Sequence, residues 1–182
     1  MQGSIYTTFA DMIIEKMGME QWNELLEQTN PASKGIYTSG QQYDDSELIN
    51  MVVALSEKTG VAPEKLVEAF GQYLFDNLYK SSPANIAHID NLRDFLLAID
   101  NVIHAEVKRV HPDSYLPKFE YENGKDGELI MYYTSKRKLC HASVGLIFGA
   151  SKQFKQEIKI AHPQCMHDGA KRCKLVITFE ES

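Results

Sequence analysis

Three side chains in one short stretch could grip an acid. Tyr133, Ser135 and Arg137 lie in Met131-Tyr-Tyr-Thr-Ser-Lys-Arg-Lys138. The segment from Glu128 to Tyr133 reads as a strand, and alternate residues of a strand share a face. The phenol, the hydroxyl and the guanidinium would then line up as hydrogen-bond donors. Arginine can hold a carboxylate through two parallel bonds. Far upstream, His104 stands at the edge of an apolar helical face. A carboxylate clamp and one well-placed imidazole are what a protein needs to hold haem, because buried propionates need partners and the iron needs an axial ligand. Each feature also has a plainer reading. A Tyr-x-Ser-x-Arg run can be a half-solvated strand face, and a single helical histidine is often merely packed or exposed.

A second set of residues could hold a metal. In Ala161-His-Pro-Gln-Cys-Met-His-Asp-Gly-Ala-Lys-Arg-Cys173, the spacing His-x₂-Cys-x₇-Cys joins His162, Cys165 and Cys173, with Gly169 to allow the turn. This suits a zinc knuckle at a hairpin tip, and zinc then needs a fourth ligand. Cys140 is the remaining cysteine, which gives a closed Cys₃His structural site. His141 and His167 are alternative ligands. The plain alternative is three reduced, buried thiols.

The elements that would carry these groups are legible from periodicity. Phe9, Met12, Ile13 and Met17 form a helical stripe over Ile5 to Met17, and Trp22, Leu25 and Leu26 mark a short helix over Met19 to Glu27. Asn30 to Gly35 is a loop. Asp44 or Asp45 caps a helix through Leu48, Met51, Val52 and Leu55, which Gly60 stops. Pro63 opens another through Leu66, Phe70, Leu74 and Leu78. The helix from Asn91 to Val110 carries Leu92, Phe95, Leu96, Ile99, Ile103 and Val107 at spacings of three and four, with His104 beside them. It must end before Pro112. Alternation then begins: Phe119 to Glu122 and Glu128 to Tyr133 form a hairpin around Asn123-Gly124 and Asp126-Gly127. Leu139 to Phe154 is a helix with small residues at Ala142, Ser143, Gly145 and Gly149. Ile158 to Ala161 and Lys174 to Glu180 are strands. The fold class is α+β: a helical N-terminal lobe over about 1–112, then a small antiparallel sheet crossed by a helix over about 113–182.

Bulk properties narrow the functions. The 182 residues suit one domain, 1–182, and 43% apolar with 24% charged residues is an ordinary globular composition. A formal charge of −6 with no basic stripe argues against nucleic acid. No apolar run is long enough to span a bilayer. Asp11 and Glu15 interrupt the first apolar stretch and no basic leader precedes it, so a cytoplasmic location is expected. Three cysteines there suggest a metal or free thiols rather than a disulfide framework.

The chain resembles the H-NOX (haem nitric oxide/oxygen binding) family over nearly its whole length. The likeness rests on Met1-Gln-Gly-Ser-Ile5, Asp44-Asp-Ser-Glu-Leu48, Ser56-Glu-Lys-Thr-Gly60, Phe70-Gly71, Val102-Ile-His104, Pro117, Tyr133-Thr-Ser-Lys-Arg137 and Gly145-Leu-Ile-x-Gly149. The C-terminal pattern is similar to the stand-alone gammaproteobacterial branch. The resemblance implies haem b (iron protoporphyrin IX) enclosed by the fold, with His104 as proximal iron ligand. Tyr133, Ser135 and Arg137 would hold the propionates, and Ile5, Leu78 and Pro117 would contact the porphyrin. Oxygen-binding members carry a tyrosine five residues after the motif arginine. Ala142 stands there, which implies NO and CO binding with discrimination against O₂, unless Tyr73 or Tyr79 reaches in. It further implies a sensor rather than an enzyme, signalling by release of His104 and a haem and helix rearrangement. The partner would be a separate sensor histidine kinase or a cyclic-di-GMP synthase/phosphodiesterase. A competing expectation is a zinc-stabilised adaptor that takes a carboxylate-bearing small molecule into the same cavity.

Overall fold

The computed structural model describes residues 1–81, 86 and 88–180. Helices α1 (Gly3–Met17), α2 (Met19–Thr29), α3 (Asp45–Thr59) and α4 (Pro63–Lys80) come first. Their ends follow from local chemistry. The Asp44 carboxylate accepts from the Ser46 amide and caps α3 at 2.8 Å. Gly60 closes it with φ 71°, a left-handed value that glycine adopts without steric cost. Pro63 occupies the first turn of α4, where its missing N–H leaves nothing unsatisfied. Tyr6, Phe9, Ile13, Leu25, Met51 and Leu55 are all but fully buried and form the core of this lobe.

The helix expected from Asn91 to Val110 runs unbroken over Leu92–Val110 but is not α-helical throughout. Asn91 caps α5 (Leu92–Ala98) through a 2.9 Å bond to the Asp94 amide. A π-turn over Ile99–His104 then intervenes before α6 (Ala105–Val110). The extra residue per turn changes the rotation of everything after it, so His104 does not lie where a uniform 3.6-residue period would put it.

The second part holds β1 (Lys118–Asn123), β2 (Leu129–Thr134), helix α7 (Cys140–Phe154), β3 (Ile158–Gln164) and β4 (Cys173–Phe179). The four strands form one antiparallel sheet in the order β1-β2-β4-β3. In its register Tyr133 pairs with Phe119 on one side and with Cys173 on the other. Helix α7 lies tightly on α4. A Cβ on Gly71 would sit 2.3 Å from the Ala142 carbonyl oxygen, and one on Gly145 would sit 2.0 Å from that of Glu68. The small residues of α7 are therefore where two backbones touch. Leu146 packs against both cores and joins them.

Candidate functional site

A cavity of about 1270 Å³ lies between the two cores. It exceeds the ~300–1,000 Å³ usual for small-molecule sites. Its wall is apolar in the main, with Leu74, Phe95, Ile103, Phe119, Met131 and Ile147 from both parts of the chain. Every residue that the sequence assigned to a haem reaches this one space. Ile5, Leu78, His104, Pro117, Tyr133, Ser135, Arg137 and Ala142 all line it.

His104 enters from the end of the π-turn, with its side chain 17% exposed. Its Nδ1 is buried and 3.5 Å from Asp100 Oδ1, too poorly placed to count as hydrogen-bonded. Burial lowers the imidazole pKa, partly offset by Asp100 and by the Pro117 backbone. The ring is thus neutral at pH 7, the form that binds a metal. With Nδ1 turned to a carboxylate, Nε2 is the nitrogen left for a ligand. Asp100 is itself fixed, because Oδ1 accepts from the Phe119 amide at 3.1 Å. The Phe119 ring tilts against the imidazole at 5.8 Å between centroids.

The clamp differs from the strand face expected of it. Strand β2 ends at Thr134, so only Tyr133 is on the sheet. Ser135 and Arg137 belong to the turn that follows, which Lys138 completes with φ 51°. The three line the same cavity because this turn folds back. The Ser135 hydroxyl accepts from the Arg137 amide at 3.2 Å, and the Tyr133 hydroxyl accepts from the Leu139 amide at 2.9 Å. Burial pushes the Tyr133 phenol up to about 12, so it stays protonated and can donate.

Two residues not expected at the site orient the guanidinium. Arg137 donates from Nε to Asp45 Oδ2 at 2.5 Å and from Nη1 to the Tyr115 carbonyl at 2.7 Å. It also lies over the Tyr115 ring, 5.0 Å from the centroid. Burial works to raise the Asp45 pKa, but Arg137 and the Met1 amino group outweigh it and hold it below the usual carboxylate range. Nη2 has no partner among the described residues, so an acid entering the cavity would meet free donors. No local signal could have revealed Asp45, which reads as an ordinary helix-start acid and is 92 positions from Arg137.

Of the two tyrosines considered as distal donors, Tyr73 is turned away and donates to Glu15 Oε2 at 2.8 Å. Tyr79 does line the cavity, stacked on Phe75 and edge-on to Phe95 and Phe154. Its hydroxyl makes no hydrogen bond among the described residues.

The second set also converges. One ligand atom from each of Cys140, His162, Cys165 and Cys173 lies within 4.8 Å of all the others. All three cysteines are buried and reduced, with Sγ separations of 3.7 Å for Cys140–Cys165 and 4.0 Å for Cys165–Cys173. His162 Nε2 is buried with no hydrogen-bond partner. Burial, then the neighbouring thiols, drive the Cys140 thiol well above its ordinary range. The Met166 and His167 amides donate to the Cys173 and Cys165 sulfurs at 3.2 and 3.5 Å, as they could to thiolates, so the unpaired atom of the cluster is the His162 nitrogen, and the four donors are of the types that a zinc ion takes.

The haem-NO-binding family model matches residues 2–162. Among solved structures, the H-NOX protein of S. oneidensis in its Fe(II)NO state is 34% identical, with a TM-score of 0.92 and all of both chains covered. The unliganded Fe(II) H-NOX protein of K. algicida is 30% identical, with a TM-score of 0.91, covering 100% of this chain and 98% of that one. Among curated proteins, the soluble guanylate cyclase gcy-32 of Caenorhabditis elegans is 24% identical over 163 residues. That match takes in 84% of this chain but 23% of the cyclase, so the chain spans about a quarter of such relatives.

Proposed function

This chain belongs to the haem-NO-binding (H-NOX) family, and on that premise we propose that it is a haem-based sensor of NO that also takes CO and discriminates against O₂. The observation that carries the reading is the meeting of His104 and Arg137 in one large apolar cavity. The residues present fit haem b: a neutral imidazole on one wall, and at the rim a guanidinium with unused donors beside Tyr133 and Ser135. Bound there, haem supplies a ferrous iron that takes a diatomic gas. His104 would hold the iron from the π-turn, while Arg137, Tyr133 and Ser135 would hold the propionates. Ile5, Leu78 and Pro117 set the porphyrin's seat.

Selectivity follows from what the chain leaves out. Bound O₂ draws negative charge and gains from a donor, whereas NO and CO depend on one far less. Ala142 offers none. Tyr79 borders the cavity beside Phe75, Phe95 and Phe154 with no partner for its hydroxyl among the described residues, so Tyr79→Phe should leave the response to O₂ unchanged if Ala142 sets the selectivity.

Signalling uses a two-state element. We assign that part to the π-turn, whose minority geometry holds His104 in place. A change in what holds His104 would let the turn rewind and would move α5 and α6, altering the outer surface that a separate sensor histidine kinase or cyclic-di-GMP enzyme would read. The Cys140, His162, Cys165 and Cys173 cluster is proposed to hold structural zinc. No helix among the described residues is long and apolar enough to cross a membrane.

Absorption spectra of the reduced protein under air, CO and NO test the reading. A Soret band that shifts with CO and NO but not with air is expected. His104→Gly should abolish the iron–imidazole signature and regain it with added imidazole. Protein that stays colourless with haemin, or a stable O₂ complex, would overturn it.

A further inference from the structure

Cys140 belongs to two ligand sets. One is the closed set with His162, Cys165 and Cys173. The other is Cys140, His141 and His167, whose ligand atoms also lie within 4.8 Å of one another. The two sets differ in character. The first is buried but for His162, which is partly so, whereas in the second His141 is half-buried and His167 exposed. Four ligands close a zinc site, and three with solvent beside them leave a position open.

The imidazoles of the second set are prepared for a cation. His167 Nε2 is 2.7 Å from the Lys138 carbonyl oxygen. A carbonyl only accepts, so that nitrogen carries the hydrogen and the other keeps its lone pair. This is how metal-binding histidines are commonly held. The His141 ring is 5.8 Å from that of His167 and 5.5 Å from that of His162, and it makes no hydrogen bond among the described residues. Charge adds a further reason. Three thiolates around one Zn²⁺ leave the closed site with a net charge of −1, and a thiolate sulfur has lone pairs enough for two metals.

We propose that Cys140, His141 and His167 form a second, solvent-open site for a borderline divalent metal such as Zn²⁺, sharing the Cys140 thiolate with the closed site. The inference rests on the zinc reading of the closed site. The first ion displaces the thiol proton of Cys140, so the closed site fills first and the open one second. Borderline metals suit a mixed sulfur and imidazole set, and Mg²⁺ and Ca²⁺ do not.

Equilibrium dialysis of the purified full chain against Zn²⁺, with elemental analysis, decides it. Two ions per chain are expected, the second at least ten-fold weaker. The double variant His141→Ala/His167→Ala should keep one ion, and the control His88→Ala/His111→Ala should keep two. Cadmium NMR on the CO-bound ferrous protein should give one thiolate-rich resonance and one nitrogen-rich resonance, the latter missing in the first double variant. One ion in the wild-type chain overturns the second site and leaves the closed one standing. Two ions in the His141/His167 variant overturn this ligand assignment. No bound ion removes both.

Discussion

Arg137 lines the cavity with its guanidinium fixed in direction, and direction matters as much as charge to the role proposed for it. Asp45 and the Tyr115 carbonyl occupy Nε and Nη1, and Nη2 has no partner among the described residues. Charge-assisted hydrogen bonds contribute ~1.5–3 kcal/mol. Arg137→Ala should therefore loosen haem roughly ten- to a hundred-fold, measured by haem transfer to apomyoglobin, and Arg137→Lys should fall between because it lacks the fork. Asp45 adds a pH dependence. Its folded pKa is depressed, so the stability it contributes is present above the unfolded value of ~3.9 and is lost as pH falls through the lower folded value. Asp45→Asn should show a lower urea midpoint than the wild-type chain at pH 7, with the gap closing toward pH 3. A gap that persists in acid would mean that the ion pair is not its source.

At the scale of elements, the π-turn and the α4–α7 seam decide where the chemistry sits. The π-turn presents His104 and Asp100 on neighbouring turns of one face, and the carboxylate can raise the basicity of the imidazole. Asp100→Asn keeps an acceptor for the Phe119 amide but removes the charge. It should lower the iron–histidine stretching frequency in resonance Raman spectra without changing the far-ultraviolet circular dichroism. At the seam, the backbone of Glu68 leaves no room for a Cβ on Gly145. Gly145→Ala should cost ~1–3 kcal/mol, the usual price of overpacking. That corresponds to a melting temperature lower by roughly 2–10 °C. Gly40→Ala, where a Cβ would meet nothing within 4 Å, should leave melting unchanged.

Across the whole molecule, the two sites are joined by a short stretch of chain. Arg137 and Cys140 flank the Lys138 turn, and β2–β4 pairing sets Tyr133 opposite Cys173. The cluster also ties the start of α7 to the β3–β4 hairpin. Chelation of zinc should lower the melting temperature while leaving the ferrous Soret maximum in place, followed by calorimetry and absorption on one sample. Unchanged melting after verified metal loss would show that the ion carries no structural load.

The residue types and their spacing determined a good deal by themselves. Period 3.6 and period 2 marked the helices and strands, because burial of one face is a local pattern. Cys140, His162, Cys165 and Cys173 were legible as a group from residue type and spacing, and the fold brings one ligand atom of each within 4.8 Å of the others. Tertiary structure decided the rest. The π-turn at Ile99–His104 lies against β1, where Asp100 accepts from the Phe119 amide, a contact between residues 19 positions apart that helical periodicity does not encode. Convergence of Tyr133, Ser135 and Arg137 came from a turn and not from strand alternation. The pairing of Arg137 with Asp45 and Tyr115 joins residues far apart in sequence, and only the folded chain brings such groups within reach of a hydrogen bond.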